Sequence, residues 1–151
     1  MINLIVSVGL NGVIGCDGKL AHPIPEDLKR FKKLTSGCAV VMGKTTFDND
    51  LKSKPLANRQ NFILTRKKLQ NNQGNVTFIN DFSEIKTELP VWIIGGSQIY
   101  NLLLPKVDKM YVTHIYKALK GNSCFQPDWC EWEIENFENK DYFSYATYTR
   151  K

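Results

Sequence analysis

One carboxylate of this sequence is predicted to lie on the apolar face of a helix. Pro25 suits the first turn of a helix, because its missing N–H group would be unpaired there in any case. Successive residues of a helix are rotated by about 100°, so Leu28, Phe31 and Leu34 form one apolar stripe that also contains Asp27. Burying a carboxylate costs free energy unless a partner compensates it. Asp27 is therefore either a helix-start residue that favours the macrodipole or the acid of an apolar ligand cleft.

Two apolar runs end in glycine and are followed by polar residues that can begin a helix. The first run ends in Gly43 and the second in Gly95-Gly96. Glycine lets the backbone approach a ligand closely, and the free N–H groups of a helix N-terminus suit phosphate. Neither run matches the dinucleotide fingerprint Gly-x-Gly-x-x-Gly or the phosphate-binding loop Gly-x-x-x-x-Gly-Lys-Ser/Thr. The glycines indicate either two tight turns or two helix N-termini that hold the phosphates of one dinucleotide.

A third apolar run ends in a hydroxyl and a cation, Thr65 and Arg66. Together with Lys44, these groups can receive an additional phosphate, such as the 2′-phosphate of NADP. A solvated turn at Arg66 and Lys67 explains the same residues equally well.

These residues need a scaffold that brings the ends of strands together. Short runs rich in β-branched and aromatic residues predict strands over residues 2–8, 38–42, 61–65, 76–79, 91–94, 109–115, 131–137 and 142–149. Helical patterns lie between several of them, over 26–35, from 45 onward and over 98–104. This alternation predicts an α/β fold with a mostly parallel sheet, and the last two strands predict an antiparallel hairpin at its edge. Ligands of such sheets bind at the carboxyl ends of the strands, where both glycine motifs lie.

Length and composition predict one globular domain over residues 1–151. Of these 151 residues, 42% are hydrophobic and 23% are charged, which is ordinary for a globular chain. The chain begins with no secretory pattern, and no run approaches the roughly 18 apolar residues of a membrane span, so we expect a cytoplasmic protein. The net charge of +5 is dispersed, so it suits a phosphate-bearing cofactor as well as nucleic acid.

The cysteines and histidines predict no metal site. Cys16, Cys38, Cys124 and Cys130 form no Cys-x-x-Cys pair and are expected to be free thiols. His22 and a second histidine are too few to assemble a zinc site readily.

Several blocks of the sequence occur together, in the same order and at the same spacing, in one known family. They are Val13-Ile14-Gly15, Ile24-Pro25-Glu26-Asp27-Leu28, Val41-Met42-Gly43-Lys44-Thr45-Thr46-Phe47, Lys54-Pro55-Leu56-Ala57-Asn58-Arg59, Asn61-Phe62-Ile63-Leu64-Thr65-Arg66, Ile94-Gly95-Gly96 and Tyr111-Val112-Thr113-His114-Ile115. With these blocks the chain resembles the dihydrofolate reductases from residue 2 to residue 150. The resemblance implies a single-domain fold with a central mixed, mostly parallel eight-stranded sheet, about four flanking helices and a C-terminal antiparallel hairpin.

The resemblance also implies an activity, a cofactor and partners. The activity is NADPH-dependent reduction of 7,8-dihydrofolate to 5,6,7,8-tetrahydrofolate, with hydride transfer from nicotinamide C4 to pterin C6 and protonation at N5. The implied ligands are NADPH, dihydrofolate and antifolate inhibitors, with no nucleic acid or membrane partner. The family expectation for the oligomeric state is a monomer.

Individual residues receive roles from the resemblance. Asp27 matches the acid that hydrogen-bonds the 2-amino group and N3 of the pterin, and Thr113 matches the hydroxyl that supports this acid. Arg59 matches the arginine that binds the α-carboxylate of the folate glutamate. The implied catalytic residues are Asp27, Thr113, Leu20 and His22. The implied substrate-binding residues are Ile5, Asp27, Leu28, Phe31, Lys32, Leu56, Arg59, Ile94, Tyr100 and Thr113. The implied cofactor-binding residues are Ser7, Ile14, Gly15, Leu20, Gly43, Lys44, Thr45, Thr46, Leu64, Thr65, Arg66, Gly95, Gly96, Ser97, Gln98 and Ile99.

The sequence departs from the family pattern at four places. His22 stands in a segment where the family usually has Leu/Met-Pro-Trp, and it is either a hydrogen-bonding group of the site or a solvated loop residue. The segment 48–53 is longer and more polar than usual. Gln98 stands where a cation is common, and Asn122 stands where an acid is common. We therefore expect a weaker contact to the cofactor phosphate and a weaker support for loop closure.

Three other functions are compatible with parts of the sequence. A related NADPH-dependent pteridine or pyrimidine reductase would keep the cofactor residues but should lack the set Asp27, Phe31 and Arg59. A catalytically weak folate- or NADPH-binding protein of the same fold is a second alternative. A nucleic-acid-binding module is the third, and it would bind DNA or RNA with a steep dependence on salt.

Overall fold

The computed structural model describes residues 1–68 and 72–151, which contain eleven β-strands and two α-helices. The strands are β1 Ile2–Gly9, β2 Val13–Cys16, β3 Lys19–Leu20, β4 Ala39–Gly43, β5 Gln60–Leu64, β6 Val76–Ile79, β7 Val91–Gly95, β8 Lys109–Ile115, β9 Ser123–Cys124, β10 Trp132–Asn139 and β11 Phe143–Arg150. The α-helices are α1 Pro25–Thr35 and α2 Ser97–Leu103. Shorter helical pieces are a π-helical turn, Thr46–Asp50, and the 3₁₀ turns Phe82–Glu84, Leu104–Lys106 and Trp129–Glu131.

The central sheet has eight strands in the order β10-β11-β8-β1-β7-β4-β5-β6. The neighbours from β8 to β6 run parallel, whereas β11 is antiparallel to both β8 and β10. The mixed, mostly parallel sheet and the C-terminal hairpin at its edge are therefore confirmed. All eight predicted strands are present, and their ends differ from the prediction by no more than two residues.

A second, three-stranded sheet was not predicted. It has the order β3-β2-β9 and is antiparallel. Two of its strands have only two residues, which is too short to show the alternation of apolar and polar residues that predicts a strand. The helices also differ from the expected number of about four. Residues 1–68 and 72–151 contain two α-helices, and the remaining helical pieces have five residues or fewer.

The core forms three apolar clusters, and the two larger ones lie on opposite faces of the central sheet. Side chains alternate between the faces of a strand, so Val41 joins one cluster and its neighbour Val40 joins the other. Every residue of β4 is buried, as expected for a parallel strand that is covered on both sides. The helix α1 packs on one cluster through Phe31 and Leu34, whereas α2 contributes Tyr100 to the opposite one. The residues at the strand ends are thus attached to a sheet that is packed on both faces.

Three features of the described residues concern membrane-spanning helices, metal sites and disulfides. Among them, no helix is long and apolar enough to cross a membrane. The same part of the chain contains no group of three or more His, Cys, Asp or Glu side chains that could hold a metal ion. The four cysteines are free thiols.

A buried amide organises the loop that precedes β5. Asn61 is only 1% exposed, and its Oδ1 accepts a hydrogen bond from the N–H of Leu56 at 2.9 Å. Its Nδ2 donates to the carbonyl oxygens of Leu56 at 2.9 Å and Arg59 at 3.1 Å. Nδ2 of Asn75 donates to the same two carbonyl oxygens at 3.0 Å, so two amide side chains hold the loop backbone that carries Leu56 and Arg59.

Replacing this amide should destabilise the protein strongly. Asn61→Ala leaves the N–H of Leu56 without its acceptor, whereas the carbonyl oxygens of Leu56 and Arg59 keep hydrogen bonds of 3.0 Å from Nδ2 of Asn75. We expect a loss of about 1–3 kcal/mol in the free energy of unfolding. Urea unfolding measures this value. Asn101→Ala, at an exposed position of α2, is the matched control and should change the same quantity by less than about 0.5 kcal/mol. Equal effects of the two substitutions would contradict this view of the loop.

Candidate active site

A cavity of about 1260 Å³ opens where the carboxyl ends of the central strands meet. Gly43, Leu64 and Gly95, which end the strands β4, β5 and β7, respectively, all lie in its wall. The lining also includes Ser7 of β1 and Leu20 of β3. The cavity is therefore at the edge of the sheet where α/β folds bind their ligands.

The two glycine turns are packed against each other at this cavity. A Cβ atom on Gly43 would lie 2.9 Å from Cγ1 of Ile99, and one on Gly96 would lie 3.2 Å from Oγ1 of Thr46. Larger residues would thus push α2 away from the π-helical turn. The helix α2 begins directly after Gly96, and no described side chain caps its first N–H groups. The glycines are more than tight turns, because they allow two backbone segments to meet at the cavity wall.

Every residue to which the resemblance assigns a cofactor contact lies in the lining of this cavity, although these residues come from separate parts of the chain. They are Ser7, Ile14, Gly15, Leu20, Gly43, Lys44, Thr45, Thr46, Leu64, Thr65, Arg66, Gly95, Gly96, Ser97, Gln98 and Ile99. Two of the implied substrate residues, Ile94 and Tyr100, lie there as well. The fold therefore brings all of the predicted cofactor-binding residues to one cavity.

Asp27 projects from the first turn of α1 toward the sheet. Its side chain is half-buried, and its Oδ1 accepts a hydrogen bond of 2.7 Å from Oγ1 of Thr113 on β8. Burial raises the pKa of Asp27 above its ordinary value, whereas the Thr113 hydrogen bond and the charge of Arg30 lower it. Asp27 lies in the first turn of α1, as the helix-start alternative expects, but its side chain is bonded to Thr113 and does not cap the helix. The N-cap is Ile24, and no described side chain caps this helix end.

The Asp27–Thr113 pair lies next to the cavity. Thr113 is paired in register with Ser7 on the adjacent parallel strand β1, and side chains at paired positions point to the same face of the sheet. Ser7 lines the cavity, and its buried Oγ has no hydrogen-bond partner among the described residues. Tyr100, in the same wall, donates a hydrogen bond of 2.7 Å to the carbonyl oxygen of Ile5. The acid is therefore one strand away from the cavity wall.

Other predicted substrate residues lie outside the cavity lining, on and around α1. Leu28 is 46% exposed, Lys32 is exposed, and Phe31 and Leu56 are partly buried against the core. The apolar stripe of α1 is therefore only partly covered by the core, since Leu28 is exposed and Phe31 is partly buried.

Arg59 is a buried cation without an acid. It is 8% exposed, its Nε donates to the carbonyl oxygen of Ala57 at 2.8 Å, and its Nη1 donates to Oγ1 of Thr35 at 3.0 Å. None of the ion pairs among the described residues includes Arg59. Burial lowers the pKa of this guanidinium, which nevertheless stays protonated. Because it has five N–H donors, it can still bind a carboxylate ligand.

The loop that contributes Leu20 is held by side chains from two other segments. The N–H of Leu20 donates to Oδ1 of Asp50 at 3.2 Å. Asn122 accepts a hydrogen bond from the N–H of Asp17 at 3.0 Å and donates one of 3.2 Å to Oδ1 of the same residue. An amide can do both, so Asn122 supports this loop in spite of the missing acid. His22 is half-buried and makes no side-chain hydrogen bond to the described residues.

An acid lies beside one of the predicted phosphate-binding cations, and this contact was not among the predictions from the sequence. Nζ of Lys44 donates to Oδ2 of Asp48 at 2.5 Å, and Ser53 donates to Oδ1 of the same carboxylate at 3.0 Å. The spacing of four residues between Lys44 and Asp48 is the signal that predicts such a pair, provided that the turn is helical. Lys44 lines the cavity as expected, but its ammonium group is already engaged.

Comparison with known proteins agrees with this architecture. Residues 1–150 match the family model described as dihydrofolate reductase. The chain is 37% identical over 142 residues to a dihydrofolate reductase of Haemophilus influenzae, covering 88% of this chain and 84% of that protein. It is 38% identical over 136 residues to a dihydrofolate reductase of Staphylococcus aureus, covering 88% and 83%.

A solved structure shares the fold over nearly its whole length. It is the dihydrofolate reductase from Enterococcus faecalis complexed with NADP(H) and RAB-propyl, and it superposes on this chain with a TM-score of 0.89 and 32% sequence identity. The match covers 99% of this chain and 96% of the other. With the family model, the related sequences and this fold in agreement, the chain belongs to the dihydrofolate reductase family.

Proposed function

We propose that this chain reduces 7,8-dihydrofolate to 5,6,7,8-tetrahydrofolate with NADPH. The observation that carries the proposal is the half-buried carboxylate of Asp27, held by Thr113 one strand away from a large cavity at the strand ends. The membership in the dihydrofolate reductase family supports the same reaction. Residues 1–151 act as one domain in this proposal, since β1 and β11 from the two ends of the chain belong to one sheet.

The cavity fits a dinucleotide such as NADPH. Its wall contains the close-packed glycine turns, where a Cβ atom would fill the space beside Ile99 and Thr46, and the unpartnered Oγ of Ser7. Backbone N–H groups after Gly96 suit phosphate oxygens. NADPH supplies the hydride, which passes from C4 of its nicotinamide to C6 of the pterin. The residues of this chain supply position and electrostatics.

Asp27 orients the pterin instead of attacking it. Its Oδ1 is occupied by Thr113, which leaves Oδ2 to accept hydrogen bonds from the pterin 2-amino group and N3. A carboxylate in a partly buried site binds such adjacent N–H donors tightly, because water does not compete for it. In this proposal N5 receives its proton from water, and Asp27 polarises the ring for that step.

Arg59 binds the other end of the substrate. The folate glutamate carries an α-carboxylate, and a guanidinium that is already fixed by Thr35 and Ala57 presents its remaining N–H groups in a fixed direction. The exposed side chains of Leu28 and Lys32 lie on the helix between Asp27 and the loop of Arg59. They form the open side of the proposed cleft.

We also propose that the enzyme works as a cytoplasmic monomer and that antifolates occupy the same cleft. Free thiols at all four cysteines suit a reducing compartment. The protein from Enterococcus faecalis carries RAB-propyl together with NADP(H), which supports an inhibitor site in this family.

The role of Asp27 is tested by Asp27→Asn. The amide keeps the size of the side chain and can still accept from Thr113, but it cannot offer a charged acceptor to the pterin. We expect kcat/KM for dihydrofolate at neutral pH to fall by about a hundredfold or more. Asp141→Asn, in the exposed turn between β10 and β11, is the control and should leave turnover unchanged. Unaltered turnover in Asp27→Asn would refute the proposed role.

The same substitution should stabilise the protein in a pH-dependent way. The folded-state pKa of Asp27 is raised, mainly by burial, so the folded protein prefers the protonated carboxyl. Its contribution to stability is fully present below the unfolded pKa of about 4 and is lost as the pH rises through the folded pKa. Asp27→Asn carries no charge at either pH, so it should be more stable than the unaltered protein near pH 7, and this difference should shrink near pH 4. Urea unfolding at both pH values measures it, and a gain that grows toward acid pH would contradict the burial of a charged Asp27.

Arg59→Gln tests the glutamate contact separately. Loss of a charge-assisted hydrogen-bond pair should raise KM for dihydrofolate about tenfold to a hundredfold. A dihydropterin without the aminobenzoyl-glutamate part cannot use Arg59, so its steady-state kinetics should not change. Equal losses for both substrates would show that Arg59 serves only the structure of the loop.

A further inference from the structure

Three cationic side chains line the cavity at the ends of β4 and β5. Gly43 and Leu64 are paired in register at these ends, so Lys44 follows the first strand at the level where Thr65, Arg66 and Lys67 follow the second. All of these residues belong to the cavity lining. Lys44, Arg66 and Lys67 are called the cationic edge below. Its charge suits a phosphate group, and the hydroxyl of Thr65 adds a neutral donor.

The carboxylate of Asp48 forms an ion pair with one member of the cationic edge, Lys44. Oδ2 of Asp48 lies 2.5 Å from Nζ of Lys44, and the two side chains are 37% and 33% exposed, respectively. Asp48 does not belong to the cavity lining, so it reaches the cavity only through Lys44. The hydrogen bond from Lys44 lowers the pKa of Asp48, with smaller contributions from Ser53 and from the charge of Lys67. The carboxylate is therefore ionised at neutral pH.

Asp48 is held independently of Lys44. Oγ of Ser53 donates to its Oδ1 at 3.0 Å, and the short segment that connects them folds back through the N–H of Ser53, which donates to the carbonyl oxygen of Phe47 at 2.9 Å. When Lys44 turns toward a ligand, the carboxylate therefore stays in place. A phosphate at the cationic edge would then share Lys44 with a fixed negative charge.

We propose that Asp48 determines how strongly this enzyme prefers a cofactor with a 2′-phosphate over one without it. Asp48 engages Lys44 and places a negative charge beside the phosphate, so it weakens the contribution of the cationic edge. The inference rests on the proposed function, because it places the phosphorylated ribose of the cofactor at Lys44, Thr65 and Arg66. Asp48 is thus a specificity-determining residue that contacts neither the nicotinamide nor the pterin.

The test measures binding of adenosine 2′,5′-bisphosphate and adenosine 5′-monophosphate, which differ only in the 2′-phosphate, by isothermal titration calorimetry. Asp48→Asn removes the charge but keeps the shape and the contact to Ser53. It should tighten binding of the bisphosphate about threefold to tenfold, the size of one charge acting across a partly screened distance. Binding of the monophosphate should not change. Lys44→Gln should weaken the bisphosphate alone.

Glu135→Gln is the matched control. Glu135 forms an ion pair of 3.0 Å with Lys109 that is also partly exposed and lies outside the cavity lining, so its loss changes the net charge equally. It should leave the affinities of both nucleotides nearly unchanged. If Asp48→Asn does not fold, Asp48→Ser carries the same expectation.

Two results would overturn the inference. Unchanged or weaker binding of the bisphosphate to Asp48→Asn would show that Asp48 only positions Lys44. An unchanged affinity in Lys44→Gln would show that the 2′-phosphate lies elsewhere. Neither result affects the proposed function, which is tested separately by turnover of dihydrofolate in the unaltered protein.

Discussion

The burial of one carboxylate beside a strand is the constraint on which the site depends. Asp27 is the first acid of α1 that faces the sheet, and its burial is compensated by the hydroxyl of Thr113, itself 1% exposed. A carboxylate left without that hydroxyl would cost more free energy to bury. Since α1 also packs through Phe31 and Leu34, the helix cannot shift to relieve the cost. The fold thus maintains an acid that is ready for a ligand with paired N–H donors.

The register of the central sheet places the partner of this acid, Thr113, beside the cavity residue Ser7. Thr113 and Ser7 are paired on neighbouring parallel strands, and the strand after β1 in the sheet, β7, ends at the glycines of the cavity wall. The hydroxyl that holds the acid and the glycines of the cavity wall therefore belong to neighbouring hydrogen-bonded strands of one sheet. Tyr100 ties α2 to β1 through the carbonyl oxygen of Ile5, which fixes the helix that follows the glycines.

The sequence predicts much of this arrangement because its signals are local. Apolar runs mark the eight strands, and the helical period places Asp27 on the packed face of α1. The pairing of Lys44 with Asp48 was not predicted, since it depends on the π-helical turn Thr46–Asp50. The two-residue strands β3 and β9 carry no periodicity, and the double hydrogen bond of Asn122 with Asp17 joins residues that are distant in the chain. Contacts of this kind arise from tertiary structure and not from any local pattern.

The proposed reaction is tested most directly by following the transferred hydride. NADPH that carries deuterium at the transferred position of nicotinamide C4 should be mixed with dihydrofolate and the purified protein, and the products should be analysed by mass spectrometry and NMR. The account predicts tetrahydrofolate with one deuterium at C6, formed in equal amount to the oxidised cofactor. Tetrahydrofolate without deuterium at C6, or cofactor oxidation that proceeds equally well without dihydrofolate, would contradict it.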